Sequence, residues 1–247
     1  MSVKGGPNQV LSSLALDIDF GNIKTVSGSN ILDLSTNAYT VQTINSASNS
    51  ATIANGYCDF NPATLSGNAT FYRVDAANFI ASASEISLET CVYTTGDNLG
   101  GGNWERRRPV SARTYATGSP LGFALGSGNM AAEYQGTGTG NPGQDINGYY
   151  RAYANSNDIQ LNKWIHITQT LSSASKEYKT YINGNLLINI TASTPPLVFT
   201  GFDIGRGYYD VTSNYMGRVA FVKVYKKALS AAEVSQNFNA HRGRFGI

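Results

Sequence analysis

The chain has 247 residues, of which 41% are hydrophobic and 14% are charged, and its formal net charge is +2. This length suits one large β-sandwich, and so few charges together with 26 glycines and 15 tyrosines exclude a disordered chain. The only basic cluster, residues 106–108, is too short for a nucleic-acid-binding face, and no apolar stretch approaches the length of a membrane span. We therefore expect one domain of short strands and many turns, with neither a nucleic-acid nor a membrane partner.

An N-terminal arm precedes the predicted domain. Residues 1–12 begin with a polar stretch that contains Gly-Gly-Pro at positions 5–7, and this sequence breaks any regular element. No apolar run with the shape of a signal peptide follows Met1. The sequence thus predicts an arm over residues 1–12, a single domain over residues 13–247, and synthesis in a cytoplasm without the usual secretion route.

Alternation of apolar and polar residues predicts strands along most of the domain. Residues 14–20, 84–95 and 218–225 all alternate with a period of two, which places their apolar side chains on one face. Near the end of the chain, residues 230–233 (S-A-A-E) form a capping box. This box opens the one helix that the sequence predicts, over residues 231–239.

The clearest local signal is a β-hairpin over residues 162–190. Residues 164–171 alternate, a Ser-rich turn follows, and residues 178–182 form a second β-rich run. Asn183 and Gly184 then supply the two positive φ values of a type I′ turn, after which residues 186–190 return as the partner strand. We therefore predict antiparallel pairing throughout this segment.

The order of these pieces resembles the laminin-G-like, concanavalin A-like β-sandwich family. The matching elements are W-x-H from Trp164, the K-x-Y-x-N-G that follows it, D-I-G-R from Asp203 and the long strand from Met216. The resemblance is clearest from Glu85 to the end. It implies an all-β fold: a concanavalin A-like jelly-roll β-sandwich of two antiparallel sheets with one short C-terminal helix. Because this fold serves lectins, glycosidases and structural proteins alike, function has to be argued from sites.

The predicted strand at residues 84–95 carries two glutamates at a spacing that also occurs in glycoside hydrolases. Residues 85–89 read E-I-S-L-E, and alternation places Glu85, Ser87 and Glu89 on one face. Retaining glucanases of the same superfamily carry E-x-D-x-E here, with the two Glu as nucleophile and acid/base. Ser87 removes the central charge that would help separate the two pKa values. We therefore predict no catalytic residue and no enzyme, with Glu85 and Glu89 facing solvent, and we interpret His166 as a satisfied core or groove histidine.

Aromatic residues in or beside loops suggest carbohydrate binding. Sugar sites combine aromatic platforms with a few polar groups in a shallow groove, although tyrosine-rich strands are also good β-formers and interface residues. The candidate sugar-binding residues are Trp104, Tyr149, Tyr208 and Tyr209.

Calcium is the common cofactor that the family resemblance implies. Loop carboxylates would hold it, and the candidates are Asp97, Asp145 and Asp210. No segment reaches the density of a D-x-D-x-D motif. We therefore predict no required cofactor and leave bound calcium open.

The end of the chain carries a second resemblance. Residues 228–247 are similar to the C-terminus of laminin-G-like proteins encoded by tailed bacteriophages, which are generally virion structural proteins. The resemblance implies a non-enzymatic capsid decoration (cement) or tail-associated attachment protein, located in the virion, that contacts other virion proteins and forms a homo-oligomer. The alternative is a lectin-like module that contacts host surface glycans. The candidate interface residues are Arg242, Arg244, Phe245 and Ile247. The end of the chain, residues 245–247, docks either on a neighbour or on the chain's own sandwich.

Overall fold

Over the residues that it describes, a computed structural model shows two large antiparallel sheets that enclose one main core, with one helix at the C-terminus. The sequence-based prediction of a concanavalin A-like sandwich is confirmed. The residues that the structure describes are 8–27, 30–44, 51–60, 70–75, 84–95, 108–113, 121–126, 129–135, 149–154, 162–172, 174–175, 177–191, 201–206 and 214–247.

Seventeen strands and one helix make up the described part of the chain. In chain order they are β1 (Leu14–Asp19), β2 (Val26–Ser27), β3 (Asn30–Ile31), β4 (Val41–Ile44), β5 (Ala51–Ala54), β6 (Tyr57–Phe60), β7 (Phe71–Asp75), β8 (Glu85–Thr94), β9 (Val110–Arg113), β10 (Leu121–Gly126), β11 (Asn129–Gln135), β12 (Tyr149–Ala154), β13 (Trp164–Ser172), β14 (Glu177–Ile182), β15 (Asn185–Thr191), β16 (Gly201–Ile204), β17 (Gly217–Tyr225) and α1 (Ala231–Phe245).

The larger sheet has eight strands in the order β15-β14-β13-β8-β17-β6-β5, and β1 also pairs with β17. The smaller main sheet has seven strands in the order β12-β11-β10-β9-β16-β7-β4, and β2 and β3 form a separate pair. The predicted hairpin is confirmed as β13, β14 and β15. Its tight turn has φ values of 49° at Asn183 and 77° at Gly184, as a type I′ turn requires.

The core lies between the two large sheets, where alternate residues of the central strands are fully buried. Its members include, from the eight-stranded sheet, Ile86, Leu88, Val92, Val219, Val222 and Val224, and from the seven-stranded sheet, Val110, Ala112, Phe202 and Ile204.

A register shift in β17 changes the simple alternation predicted for residues 218–225. The shift lies between Val219 and Phe221 in the pairing with β8. Consequently Val219 and Val222 both lie in the core, although strict alternation would place them on opposite faces. The same shift places Arg218 and Lys223 on the face of the sheet that points away from the core. Arg218 pairs there with Tyr93 of β8, and Lys223 pairs with Glu89.

The helix is longer than the sequence predicted. It begins as expected, because Ser230 and Glu233 form a reciprocal capping box. The predicted end near residue 239 is wrong, since α1 continues to Phe245 and ends at Gly246 with a φ of 68°. The reason is tertiary: the last turns pack on the sheet, which outweighs the cost of a glycine at position 243. Among the described residues, no helix combines the length and apolar character that crossing a membrane requires.

The first residues that the structure describes, residues 8–10, pack on this helix. Val10 is buried beside Tyr181, Tyr225 and Leu229. Its backbone N–H donates to Asn237 Oδ1 at 2.7 Å, and Gln236 donates to the carbonyl of residue 8. The end of the predicted arm therefore belongs to the folded unit.

Candidate functional site

The eight-stranded sheet has an outer face, which points away from the core and carries the E-I-S-L-E side chains. Strand pairing sets residues of β17, β8 and β13 side by side on this face. The three successive rows are Arg218–Tyr93–Trp164, Phe221–Cys91–His166 and Lys223–Glu89–Thr168.

Helix α1 covers the middle of the outer face and encloses a buried carboxylate. His166 Nε2 lies 2.8 Å from Glu89 Oε1, and Asn237 Nδ2 donates to Glu89 Oε2 at 2.8 Å. The same amide nitrogen lies 3.1 Å from the hydroxyl of Tyr225. Glu89 is 0% exposed, and His166, Tyr225 and Asn237 are also buried. We call these four residues, Glu89, His166, Tyr225 and Asn237, the buried carboxylate centre.

The charges around this centre keep Glu89 ionised. Burial acts to raise its pKa, but the hydrogen bond and charge of His166, helped by His241 and Lys223, hold the pKa below its usual range. Burial and the neighbouring Glu89 raise the pKa of Tyr225, which therefore stays protonated. The charged form of Glu89 is thus stabilised, and each of its two carboxylate oxygens has a hydrogen-bond partner.

The two other polar residues of the motif hold the segment that leads into α1. The hydroxyl of Ser87 donates to the carbonyl of Lys227 at 2.8 Å and accepts from the backbone N–H of Leu229 at 2.9 Å. Glu85 accepts from Ser172 at 3.1 Å and from the backbone N–H of Ala228 at 3.3 Å. The prediction that Glu85 and Glu89 face solvent is wrong for Glu89, because the C-terminal segment covers this part of the sheet. The interpretation of His166 as a core histidine agrees with its 1% exposure. The histidine is only partly satisfied, because Nε2 meets Glu89 whereas the buried Nδ1 has no hydrogen-bond partner in the described part of the chain.

At the C-terminal end of α1, the outer face carries a cluster of half-buried aromatic rings. Trp164 lies at its centre, with ring centroids 5.7 Å from Tyr57, 5.5 Å from Tyr93 and 4.8 Å from Phe245. The guanidinium of Arg218 lies over both tyrosines, 4.8 Å from the centroid of Tyr57 and 5.0 Å from that of Tyr93. We call these five residues, Tyr57, Tyr93, Trp164, Arg218 and Phe245, the aromatic patch.

The polar atoms of the aromatic patch are only partly used. Arg218 donates through Nε to Asp59 Oδ2 at 3.1 Å, and the two side chains are 32% and 34% exposed. Within the described part of the chain, the terminal nitrogens of Arg218, the hydroxyls of Tyr57 and Tyr93 and the indole N–H of Trp164 have no hydrogen-bond partner. The patch therefore combines apolar ring surface with donors that are available to a ligand.

Sequence reasoning assigned four of these residues to strands and Phe245 to the C-terminal tail, but it did not bring them together. They come from β6, β8, β13, β17 and the end of α1, so only the strand order and the β17 register shift unite them. The available signal was the alternation of the E-I-S-L-E strand, which places position 93 on the same face as position 89.

Most of the predicted sugar-binding and metal-binding residues lie outside the described residues. These are Trp104, Tyr208, Tyr209, Asp97, Asp145 and Asp210. Tyr149 begins β12, at the edge of the seven-stranded sheet and opposite Gln135. Over the ranges that the structure describes, no group of three or more His, Cys, Asp and Glu side chains is arranged to hold a metal ion.

The predicted interface residues at the C-terminus make contacts within the chain. Phe245 packs on Trp164, and Ile247 packs against a small cluster that contains Cys91 and Phe221. Arg244 pairs with Asp19, at 2.7 and 3.0 Å from its two oxygens. Arg242 is exposed, with its guanidinium 5.9 Å from the ring centroid of Phe238. Of the two docking modes left open by the sequence, the structure contains the one on the chain's own sandwich.

Comparison with known proteins connects this architecture to lectins and enzymes. The model of the concanavalin A-like lectin/glucanases superfamily matches residues 65–235. No curated protein of similar sequence was found. Solved structures with the same fold include a Trypanosoma rangeli sialidase in complex with sialic acid, which is 15% identical with a TM-score of 0.66 over 94% of this chain and 33% of the sialidase.

Two toxin domains are similar to a comparable degree. The binding domain of Paraclostridial Mosquitocidal Protein 1 is 18% identical, with a TM-score of 0.66 over 93% of this chain and 52% of that one. The binding domain of botulinum neurotoxin DC in complex with SialylT is 13% identical, with a TM-score of 0.63 over 92% of this chain and 51% of that one. The chain thus spans from a third to about half of the length of these proteins. On the family match, it belongs to the concanavalin A-like lectin/glucanase superfamily as a laminin-G-like domain.

Proposed function

We propose that this chain is a non-enzymatic, lectin-type module that binds glycans. The observation that carries the proposal is the division of the outer face. Glu89 is buried, and Glu85 is half-buried and accepts hydrogen bonds from Ser172 and Ala228. The aromatic end is half-buried as well, but it has donors without a partner among the described residues. Hydrolysis by a retaining glycosidase needs two carboxyl groups that face the substrate. Binding needs only apolar surface with a few placed polar groups.

The solved structures of the same fold support this choice of ligand class. The sialidase is in complex with sialic acid and the neurotoxin binding domain is in complex with SialylT, and each ligand is that protein's own. Identities of 13–18% establish a shared fold only. Together with the aromatic patch, they make glycans the ligand class to test first.

A glycan array with the full chain tests the proposal, and a hydrolysis assay runs on every glycan that binds. We expect saturable binding to a defined set of glycans and no release of reducing ends. A blank array, or turnover that Glu85→Gln abolishes, would overturn it. The Glu85→Gln variant is informative because Glu85 is the less buried of the two carboxylates.

The C-terminal resemblance favours a second candidate, a capsid decoration or tail-associated protein of a tailed phage. It rests on residues 228–247, whose capping box and helix the structure describes. Binding of purified chain to particles that lack it, compared with a chain truncated after residue 239, tests this candidate. Equal and saturable incorporation of both chains would exclude the last turns of α1 as the attachment element.

A further inference from the structure

The aromatic patch contains a guanidinium that is held ready for an anion. Tyr57 and Tyr93 lie against Arg218 at 4.8 and 5.0 Å, and Asp59 accepts from its Nε at 3.1 Å. Three contacts thus restrict the rotation of a side chain that is otherwise flexible. Because Asp59 occupies only the Nε position, the two terminal nitrogens keep their donors, without an acceptor among the described residues.

This arrangement suits a carboxylate better than a neutral group. Two parallel N–H donors match the two oxygens of a carboxylate, and such bidentate pairs are stronger and more selective than single hydrogen bonds. Less of the side chain's conformational entropy remains to be lost on binding, since the packing of the tyrosine rings has already restricted it.

The rings around Arg218 suit the body of a sugar. The face of an aromatic ring carries partial negative charge and attracts the C–H groups on one side of a pyranose ring. Tyr93 lies against Arg218, and Trp164 lies next to Tyr93 on its other side. Both rings are half-buried, and their phenol hydroxyl and indole N–H have no partner in the described part of the chain. These donors are suited to sugar hydroxyls, and the second oxygen of Asp59 is an available acceptor.

We propose that the aromatic patch binds an acidic glycan, with the carboxylate of the sugar on the terminal nitrogens of Arg218 and its ring against Trp164 and Tyr93. This inference rests on the proposed glycan-binding function and names its site and ligand class. Phe245 makes the C-terminal helix part of the site, because its ring packs 4.8 Å from that of Trp164 and supports it.

Calorimetric titration tests the assignment with matched acidic and neutral ligands. The pairs are sialyllactose with lactose, and methyl glucuronide with methyl glucoside, so that a sialic acid and a uronic acid are distinguished. We expect one acidic member to bind at least ten times more tightly than its neutral partner. Arg218→Gln should abolish this preference. Arg218→Lys should reduce it, because lysine keeps the positive charge but lacks the two parallel N–H donors of a guanidinium.

Arg242→Gln is the matched control, since it removes an exposed arginine that lies outside the aromatic patch. It should leave the affinity within twofold, and melting temperatures verify that all variants fold. If the wild-type chain binds glycans but acidic and neutral partners bind equally, or if Arg218→Gln has no effect, the assignment is wrong while the glycan-binding function stands. If the wild-type chain binds no glycan on the array, the proposed function itself fails.

Discussion

The buried carboxylate centre and the aromatic patch share one face of the eight-stranded sheet and three of its strands, β8, β13 and β17, yet they differ in exposure and in hydrogen bonding. Glu89 and Tyr93 are four residues apart on β8, and His166 and Trp164 are two apart on β13. Glu89 and His166 are 0% and 1% exposed, whereas Tyr93 and Trp164 are half-buried. The difference is the cover that α1 provides. Position on a strand therefore determines the face of a side chain, and a distant segment determines its accessibility.

The energetics of the two regions differ accordingly. A buried carboxylate requires partners, since leaving it unpaired is costly, and Glu89 uses both oxygens on His166 and Asn237. Arg218 has donors without an acceptor among the described residues, and this costs little because its side chain is about one-third exposed to water. Changes at the buried carboxylate centre should therefore affect folding, and changes at the aromatic patch should affect binding.

The largest expected effect comes from breaking the buried pair. His166→Leu leaves the Glu89 carboxylate buried without its main partner, and we expect the free energy of unfolding to fall by about 3–5 kcal/mol. Urea denaturation followed by circular dichroism measures it. The double variant His166→Leu/Glu89→Leu removes both polar side chains and should recover more than half of the loss. If the single variant costs less than about 1 kcal/mol, the pair does not make the expected contribution to stability.

Acidification should also destabilise the fold, through protonation of His241 on α1. Burial, helped by Lys223 and opposed by Glu89, lowers the pKa of His241 from 6.5 to about 4. In the unfolded chain the imidazole takes up its proton near pH 6.5, but in the folded chain only near pH 4, so stability falls as the pH drops between these values. The loss attributable to His241 should reach about 3 kcal/mol.

Glu89 adds to this loss in the same direction, because its folded pKa is also lowered and its contribution disappears as the pH falls through that value. His241→Phe isolates the histidine. Its ring lies 4.6 Å from that of Phe221, so an aromatic replacement keeps the packing. Denaturation at pH 7 and pH 4 should show a smaller decrease for His241→Phe than for the wild-type chain, and equal decreases would contradict the prediction.

A smaller effect is expected where α1 meets the aromatic patch. Phe245→Ala removes a half-buried ring from Trp164 and should lower the free energy of unfolding by about 1–2 kcal/mol, below the value for a fully buried phenylalanine. Because Trp164 gains solvent contact, its fluorescence should shift to longer wavelength when measured in a Trp104→Phe background. Arg242→Ala, on an exposed part of the same helix, serves as the control and should leave the spectrum unchanged.

The smallest effect on stability is expected at Arg218. Arg218→Gln breaks an ion pair with Asp59 that is about one-third exposed, and such pairs contribute roughly 0–1 kcal/mol. Thermal denaturation should therefore place this variant close to the wild-type chain. A loss comparable to that of His166→Leu would remove the distinction between a region that stabilises the fold and a region that binds.

Local patterns predicted much of this fold. The positive φ values at Asn183 and Gly184, the three strands of the hairpin and the capping box at Ser230 all appear as predicted. Each depends on residues that are neighbours in the chain. The predicted end of the helix, near residue 239, was wrong because His241 and Phe245 make contacts with the sheet. A local sequence pattern contains no information about those contacts.

The candidate site was less accessible to sequence reasoning. The E-I-S-L-E motif indicated the correct face, but nothing near Glu89 in the sequence indicates that residues 230–247 cover it. The aromatic patch was missed for a related reason, since it draws on five separate elements. The loop residues predicted to bind sugar or calcium, such as Trp104 and Asp97, remain predictions, because they lie outside the described residues.

By itself, the sequence determined the strands, the tight turn, the helix start and, through its resemblance, the sandwich family. It did so because backbone conformation and side-chain alternation are set by local sterics and by burial of one face. Only the tertiary structure decided which rows of the outer face are covered by α1 and which side chains meet around Trp164. The physical reason is that the register shift in β17 and the docking of the C-terminus each depend on contacts between residues more than a hundred positions apart, such as Asn237 with Glu89.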